Sequence, residues 1–144
     1  MAVKRIYLLD TNIISELTKP LPSEKLLTEL DARGMFSAIS ASVWYETLRG
    51  IGILPEGKKK KVLSTEYLDY IQSHFSILPY DEHCASIQAA IFVRMKNKGT
   101  PVPIVDAQIA ATALANNLVL VTRNVKDFEP ICREFPLHVE NWFE

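Results

Sequence analysis

The sequence predicts a three-layer α/β domain on a mostly parallel sheet of four to five strands. Three observations carry that expectation. Its strand-like segments are short, almost continuous apolar runs, as suits strands covered on both faces. Helical patterns lie between them, so β and α alternate as in β-α-β units. The 144 residues, 48% hydrophobic and 23% charged, suit one compact domain over 1–144 with a core of its own.

The first strand is "RIYLL" at 5–9, ending at Asp10. A helix follows in "PSEKLLTELDARG", with Ser23 as N-cap, Leu26, Leu27 and Leu30 on one face, and Gly34 as its stop. "MFSAIS" at 35–40 is the second strand, and Ser40 or Ser42 caps the helix after it. "SILPY" at 76–80 is the third. "EHCASIQAAIFVRMKNKG" then sets Cys84, Ile87, Ile91 and Met95 at helical spacing; Arg94, Lys96 and Lys98 complement the dipole and Gly99 ends it. "PVPIVDAQIAATALANN" begins after two prolines and is alanine-rich, so it packs close to a sheet. "LVLVT" at 118–122 is the fourth strand, and "LHV" at 137–139 a weaker fifth.

Formal net charge is −1 with pI near 6.3, so any nucleic-acid surface must be local. Cys84 and Cys132 lack paired spacing and read as reduced core thiols. The apolar run at 6–9 is too short for a signal h-region or a membrane span, which predicts a cytoplasmic protein with no membrane partner. There is no repeat or low-complexity tract.

In parallel sheets ligands gather at the carboxyl ends of the strands. Asp10 falls there directly. Glu46 lies about one turn into the helix after the second strand and reaches the same rim, and Asp106 opens the alanine-rich helix. About 12 helical residues carry the chain ~18 Å down, and the five residues of "LVLVT" bring it ~17 Å back. The loop "RNVKDF" with Asp127 therefore emerges near Asp106.

Clustered carboxylates repel, and desolvation sharpens the conflict. A hard divalent cation relieves it: Mg²⁺ takes oxygen ligands and keeps waters, and Mn²⁺ accepts the same set. Asp10 and Asp106 are the expected main ligands, with Glu46 and Asp127 completing the shell or placing water. Such an ion activates water and stabilises charge on a phosphoryl oxygen, so phosphodiester hydrolysis is the expected reaction. Thr11, Asn12, Thr122 and Asn124 sit beside the acids as supporting polar groups.

Each residue also has a plainer reading. Asp10 and Asp106 suit helix starts, Glu46 can pair with Arg49, and Asp127 can be a loop acid. Glu46 is not a capping-box member from Ser42, since the third residue on is Tyr45. Arg49, Arg123 and Lys126 flank the acids as candidate RNA contacts. "KKKK" at 58–61 reads as a solvated helix start or loop, with phosphate contact the alternative. Trp44, Tyr45 and Phe128 read as core or interface residues. His74, His83 and His138 form no zinc pattern, and no G-x-S-x-G or phosphate-cradling glycine loop occurs.

"LLDTNIISEL", "SVWYETLRG" and "PIVDAQIAATALANNLVLVTRNVKDF", with acids in the order D…E…D…D, resemble PIN-domain ribonucleases. The likeness runs from Ile6 to Phe128 and is greatest to the toxins of bacterial VapBC-type toxin–antitoxin modules. It implies a five-stranded parallel sheet and Mg²⁺- or Mn²⁺-dependent endonucleolytic cleavage of RNA, often transfer RNA or a ribosomal RNA loop. It assigns the family's metal-binding and catalytic acids to Asp10, Glu46, Asp106 and Asp127, and the polar pair before the last acid to Thr122 and Asn124. It further implies a homodimer and a VapB-like antitoxin whose own domain contacts DNA, so this chain would meet DNA only indirectly.

Two other enzyme-like classes fit less well. A receiver-type signalling domain wants adjacent acids after the first strand, where Asp10 stands alone, and would use Asp81. A haloacid dehalogenase-type phosphatase wants an acid two positions after the first, where Asn12 stands. A catalytically silent, partner-binding PIN domain is the non-enzymatic alternative.

Overall fold

The computed structural model describes residues 4–144. Its strands are β1 (Tyr7–Leu9), β2 (Ser37–Ser40), β3 (Ser76–Leu78), β4 (Val119–Val121) and β5 (Val139–Glu140). They form one sheet in the order β3-β2-β1-β4-β5, and every neighbouring pair is parallel. Successive residues Leu8–Leu9, Ala38–Ile39 and Leu120–Val121 are all fully buried. Neighbours along a strand point to opposite faces, so both faces of the sheet are covered.

The helices are α1 (Thr11–Glu16), α2 (Glu24–Arg33), α3 (Ala41–Gly52), α4 (Lys58–Val62), α5 (Leu68–His74), α6 (Glu82–Asn97), α7 (Ile104–Ala115) and α8 (Val125–Glu134). A π-helical turn, Leu63–Tyr67, joins α4 to α5. The core gathers Ile13 and Ile14 of α1, Val43 of α3, Ile91 and Met95 of α6, the Ala107–Ala113 face of α7, and Phe128 and Ile131 of α8. Small alanines let α7 pack tightly, as its composition predicts.

Several expectations need correction. The fifth strand forms at Val139–Glu140 rather than 137–139; Leu137 is buried just before it. What places it is pairing with β4 (Leu120 to Val139, Val121 to Glu140), which no local pattern encodes. Arg33 then ties this edge strand to α2: its guanidinium bonds Glu29, Glu140 (2.9 Å) and the Tyr7 hydroxyl (3.2 Å) and lies 4.4 Å over the Trp142 ring. Gly34 caps the end of α2 as expected, but with φ −60° rather than the left-handed conformation, so it leads straight into a short 3₁₀ turn, Gly34–Phe36. Gly99, at φ +71°, does adopt the left-handed conformation of a helix stop. On α2 only Leu26 is fully buried, while Leu27 is 42% exposed. The lysine run opens α4, the helix-start reading of 58–61, whereas helices α1 and α8 and the stretch 62–74 occupy segments to which local patterning assigns no helix. Tyr45 is exposed, whereas Phe128 is in the core and Trp44 packs against it. Cys84 and Cys132 are both free thiols, and no helix among the described residues is long and apolar enough to cross a membrane.

Candidate active site

The strand order decides where a site can form. From β1 the chain steps outward to β2 and β3, then returns to place β4 on the other side of β1. The order therefore reverses beside β1, and the crevice outside its carboxyl end is the topological switch point. Asp10 stands at that point, its backbone N–H donating to the Val121 carbonyl of β4 at 2.9 Å.

A cleft of about 310 Å³ opens there, lined by Asp10, Glu46, Asp106, Thr11, Asn12 and Asn124 together with Ser15 of α1. Ser40, the first of the two expected caps, starts α3 by accepting from the Val43 N–H at 3.1 Å, which brings Glu46 to the cleft. The paired prolines end just before α7, leaving Asp106 in its first turn.

Asp10 is 7% exposed and held from three directions. Its Oδ1 accepts from the Thr11 N–H (2.7 Å), and its Oδ2 accepts from the Thr122 hydroxyl (2.8 Å) and the Asn12 amide (3.3 Å). Thr122, fully buried, also accepts from the Asn12 amide (3.1 Å) and the Asn124 N–H (3.0 Å). Asn12 completes the knot by accepting the Arg123 N–H at 3.1 Å. The Thr11 hydroxyl donates to Glu46 Oε1, orienting the second acid. Burial raises the Asp10 pKa; hydrogen bonds from Thr122 and Thr11 oppose the rise, and Glu46 and Asp127 add to it.

Asp106 is different. Among the described residues its carboxylate accepts no hydrogen bond, and its pKa is pushed up to about 6, first by burial and then by the charges of Asp10, Asp127 and Glu46. Asp127 lies in the first turn of α8 rather than in a loop; it is exposed and outside the cleft lining, and it reaches the other acids through its field.

The side chains as they stand do not form a preassembled four-carboxylate shell: among the described residues, no three His, Cys, Asp or Glu side chains have metal-holding geometry. Mg²⁺ asks for less, since one or two carboxylates, waters and a substrate phosphate satisfy it. An oxygen-only set with a half-buried, hydrogen-bond-free carboxylate fits a hard cation and excludes a zinc-type N/S site.

The candidate RNA contacts do not line the cleft. Arg49 lies 5.4 Å from the exposed Tyr45 ring; Arg123 lies over the Phe143 ring at 4.7 Å, with Glu16 4.0 Å away; Lys126 is exposed on α8. Sequence reasoning missed the polar lining residue Ser15, along with the apolar Val105 and Ile109 of α7. The position of Ser15 four after Thr11, one turn along a helix, is the signal that finds it once α1 is seen as helical.

Residues 7–133 match the PIN domain family. The chain belongs to that family. This PIN domain is 37% identical over 126 residues to Toxin FitB of Neisseria gonorrhoeae, covering 85% of the chain and 91% of the relative. It is 33% identical to Ribonuclease VapC2 of Rickettsia felis over 95% of the chain and 98% of that protein. The crystal structure of VapBC2 from Rickettsia felis bound to a DNA fragment from their promoter superposes with a TM-score of 0.80 at 29% identity, covering 95% and 98% of the two chains.

Proposed function

We propose that this PIN domain is a Mg²⁺-dependent endoribonuclease, the toxin of a VapBC-like toxin–antitoxin module, and that it slows translation by cutting transfer RNA or a ribosomal RNA loop. The observation that carries this reading is the meeting of Asp10, Glu46 and Asp106 in one cleft at the sheet's switch point. Asp10 and Asp106 are the main ligands, with Glu46 and Asp127 completing the shell or placing water; Mn²⁺ suits the same oxygens. When bound, the ion supplies activated water near neutral pH and neutralises charge developing on the phosphoryl oxygen.

The chain's own residues fix the geometry. Thr122, Asn12 and the Thr11 N–H lock both Asp10 oxygens, and the Thr11 hydroxyl sets Glu46. Asp106, with no hydrogen bond to break, is free to turn its carboxylate toward a cation. The relatives named as ribonuclease and toxin support the activity, and the promoter-bound VapBC2 assembly supports a VapB-like antitoxin as partner, with DNA contacted through it. A homodimer belongs to the same proposal: Phe92 on α6 and Ile104 at the start of α7 are 63% and 69% exposed.

Incubating the purified protein with cellular RNA and Mg²⁺, beside a chelator control and Asp10→Asn, tests the activity. Cleavage only by the metal-supplied parent is expected. Equal cleavage by the variant overturns the assignment, and no cleavage by either leaves the silent, partner-binding PIN domain as the reading. Light scattering reads the dimer.

A further inference from the structure

The lysine run at 58–61 is not used by the site described so far. Lys60 is committed: its ammonium bonds Glu56 at 2.8 Å and the Gly52 carbonyl at 3.0 Å, tying α4 to the end of α3. Lys58, Lys59 and Lys61 are exposed and, among the described residues, in no ion pair. Their charges crowd the positive end of a helical segment, where the dipole disfavours cations. The acid that stands one turn before them, Glu56, is spent on Lys60.

A groove of about 290 Å³ runs from this patch to the cleft. Lys59 lines one end; Thr11 and Glu46, which also line the acidic cleft, line the other. Ser15 is likewise common to both. The wall between them includes Leu63 and Tyr67, the first and last residues of the π-helical turn, an irregularity that recurs at functional sites. Ile14, Ile51 and Leu54 add apolar surface and Thr18 and Thr47 add hydroxyls to the lining, a mix able to take a base as well as its sugar.

We propose that this groove is the path by which a single RNA strand reaches the acids, with Lys58, Lys59 and Lys61 holding phosphates displaced from the cut. The proposal rests on the nuclease reading and adds to it where the substrate lies. Charge complementarity selects the occupant: the three unpaired cations meet a polyanion, which brings phosphates along the groove to acids that repel them unless a cation intervenes.

The test uses Asp10→Asn protein in chelator, so that binding is read without cleavage. The probe is a fluorescein-labelled, mixed-sequence single-stranded 20-mer RNA, followed by anisotropy across a KCl series. The triple variant Lys58→Ala, Lys59→Ala, Lys61→Ala is expected to bind about tenfold or more weakly, and the slope of log K against log salt to flatten by about 2, roughly 0.7 for each phosphate no longer neutralised. The matching Lys→Arg variant restores both, and Lys96→Ala on α6 changes neither. Unchanged affinity and slope in the alanine variant, with circular dichroism intact, overturn the proposal and mark the groove as a peptide-binding surface if a partner peptide competes there. If the parent cleaves RNA but the lysine variant binds normally, only this inference fails. If the parent neither binds nor cleaves RNA, the nuclease reading fails with it.

Discussion

The two halves of the acidic cleft are built in opposite ways. Around Asp10 the protein supplies three donors to one carboxylate, burying it and fixing both oxygens. Around Asp106 it supplies none among the described residues and surrounds the group with like charge, so the carboxyl holds its proton up to about pH 6. One half is rigid and satisfied; the other is loosely held and electrostatically loaded. The contrast teaches a division of labour: a fixed anchor beside a group whose energy falls steeply when a cation arrives. A site of four fully hydrogen-bonded acids would gain far less from the ion.

The largest effect is expected from removing the anchor. Asp10→Asn should lower RNA cleavage by roughly 10²–10³-fold or more, measured as the rate at saturating Mg²⁺. The fold should survive, because Asn keeps the side chain's size and one carbonyl oxygen, which can still accept from the Thr11 N–H or from the Thr122 hydroxyl. A variant within threefold of the parent would erase the distinction between the two halves.

Next comes the support beneath the anchor. Thr122→Val removes a hydroxyl that bonds Asp10, Asn12 and the Asn124 N–H at once. Cleavage or metal affinity should fall by about 10–100-fold, and stability by about 1–3 kcal/mol, because buried partners lose their bond. Thr122→Ser should recover most of both, which a purely steric role for the side chain would not allow.

Asp127→Asn sharpens the comparison from outside the cleft. An exposed acid acting through its field should matter less than Asp10, by about tenfold or less in cleavage rate, with the loss growing at low salt as screening weakens. A loss as large as that of Asp10→Asn would place Asp127 on the ion itself.

The smallest effect is thermodynamic. Asp106 has a folded pKa of about 6 against an ordinary 3.8, so the folded state binds its proton more tightly than the unfolded chain does. Its contribution to stability is therefore fully present below about pH 3.8 and is lost progressively as pH rises through 6. In chelator, Asp106→Asn should melt a few degrees above the parent at pH 7.5, on the order of 1 kcal/mol once solvent screening of this partly exposed carboxylate reduces the full linkage value, with the gap closing toward pH 4. Mg²⁺ should narrow the gap at pH 7.5 by stabilising the parent alone. A gap that is independent of pH would show that Asp106 is not under the strain described.

Much of this is legible in the sequence. The runs ending at Leu9, Ser40 and Val121 announced central strands, and Asp10 and Asp106 were readable because each touches an element boundary. Helix α8 was harder to see, because Pro130 inside it looks like a breaker. The edge strand β5 starts two residues and ends one residue later than its local pattern suggests, because only its pairing partner defines it.

The sequence alone determined the central strands, the helices α2, α3, α6 and α7, and the placing of Asp10 and Asp106 at element boundaries, since periodicity and boundary residues act over a few neighbours. Only the tertiary structure decided that β4 returns beside β1, that Thr122 bonds Asp10 across 112 residues, and that Lys59 shares a groove with Glu46. Such pairings depend on how whole crossovers pack around the sheet, and no local pattern carries that information.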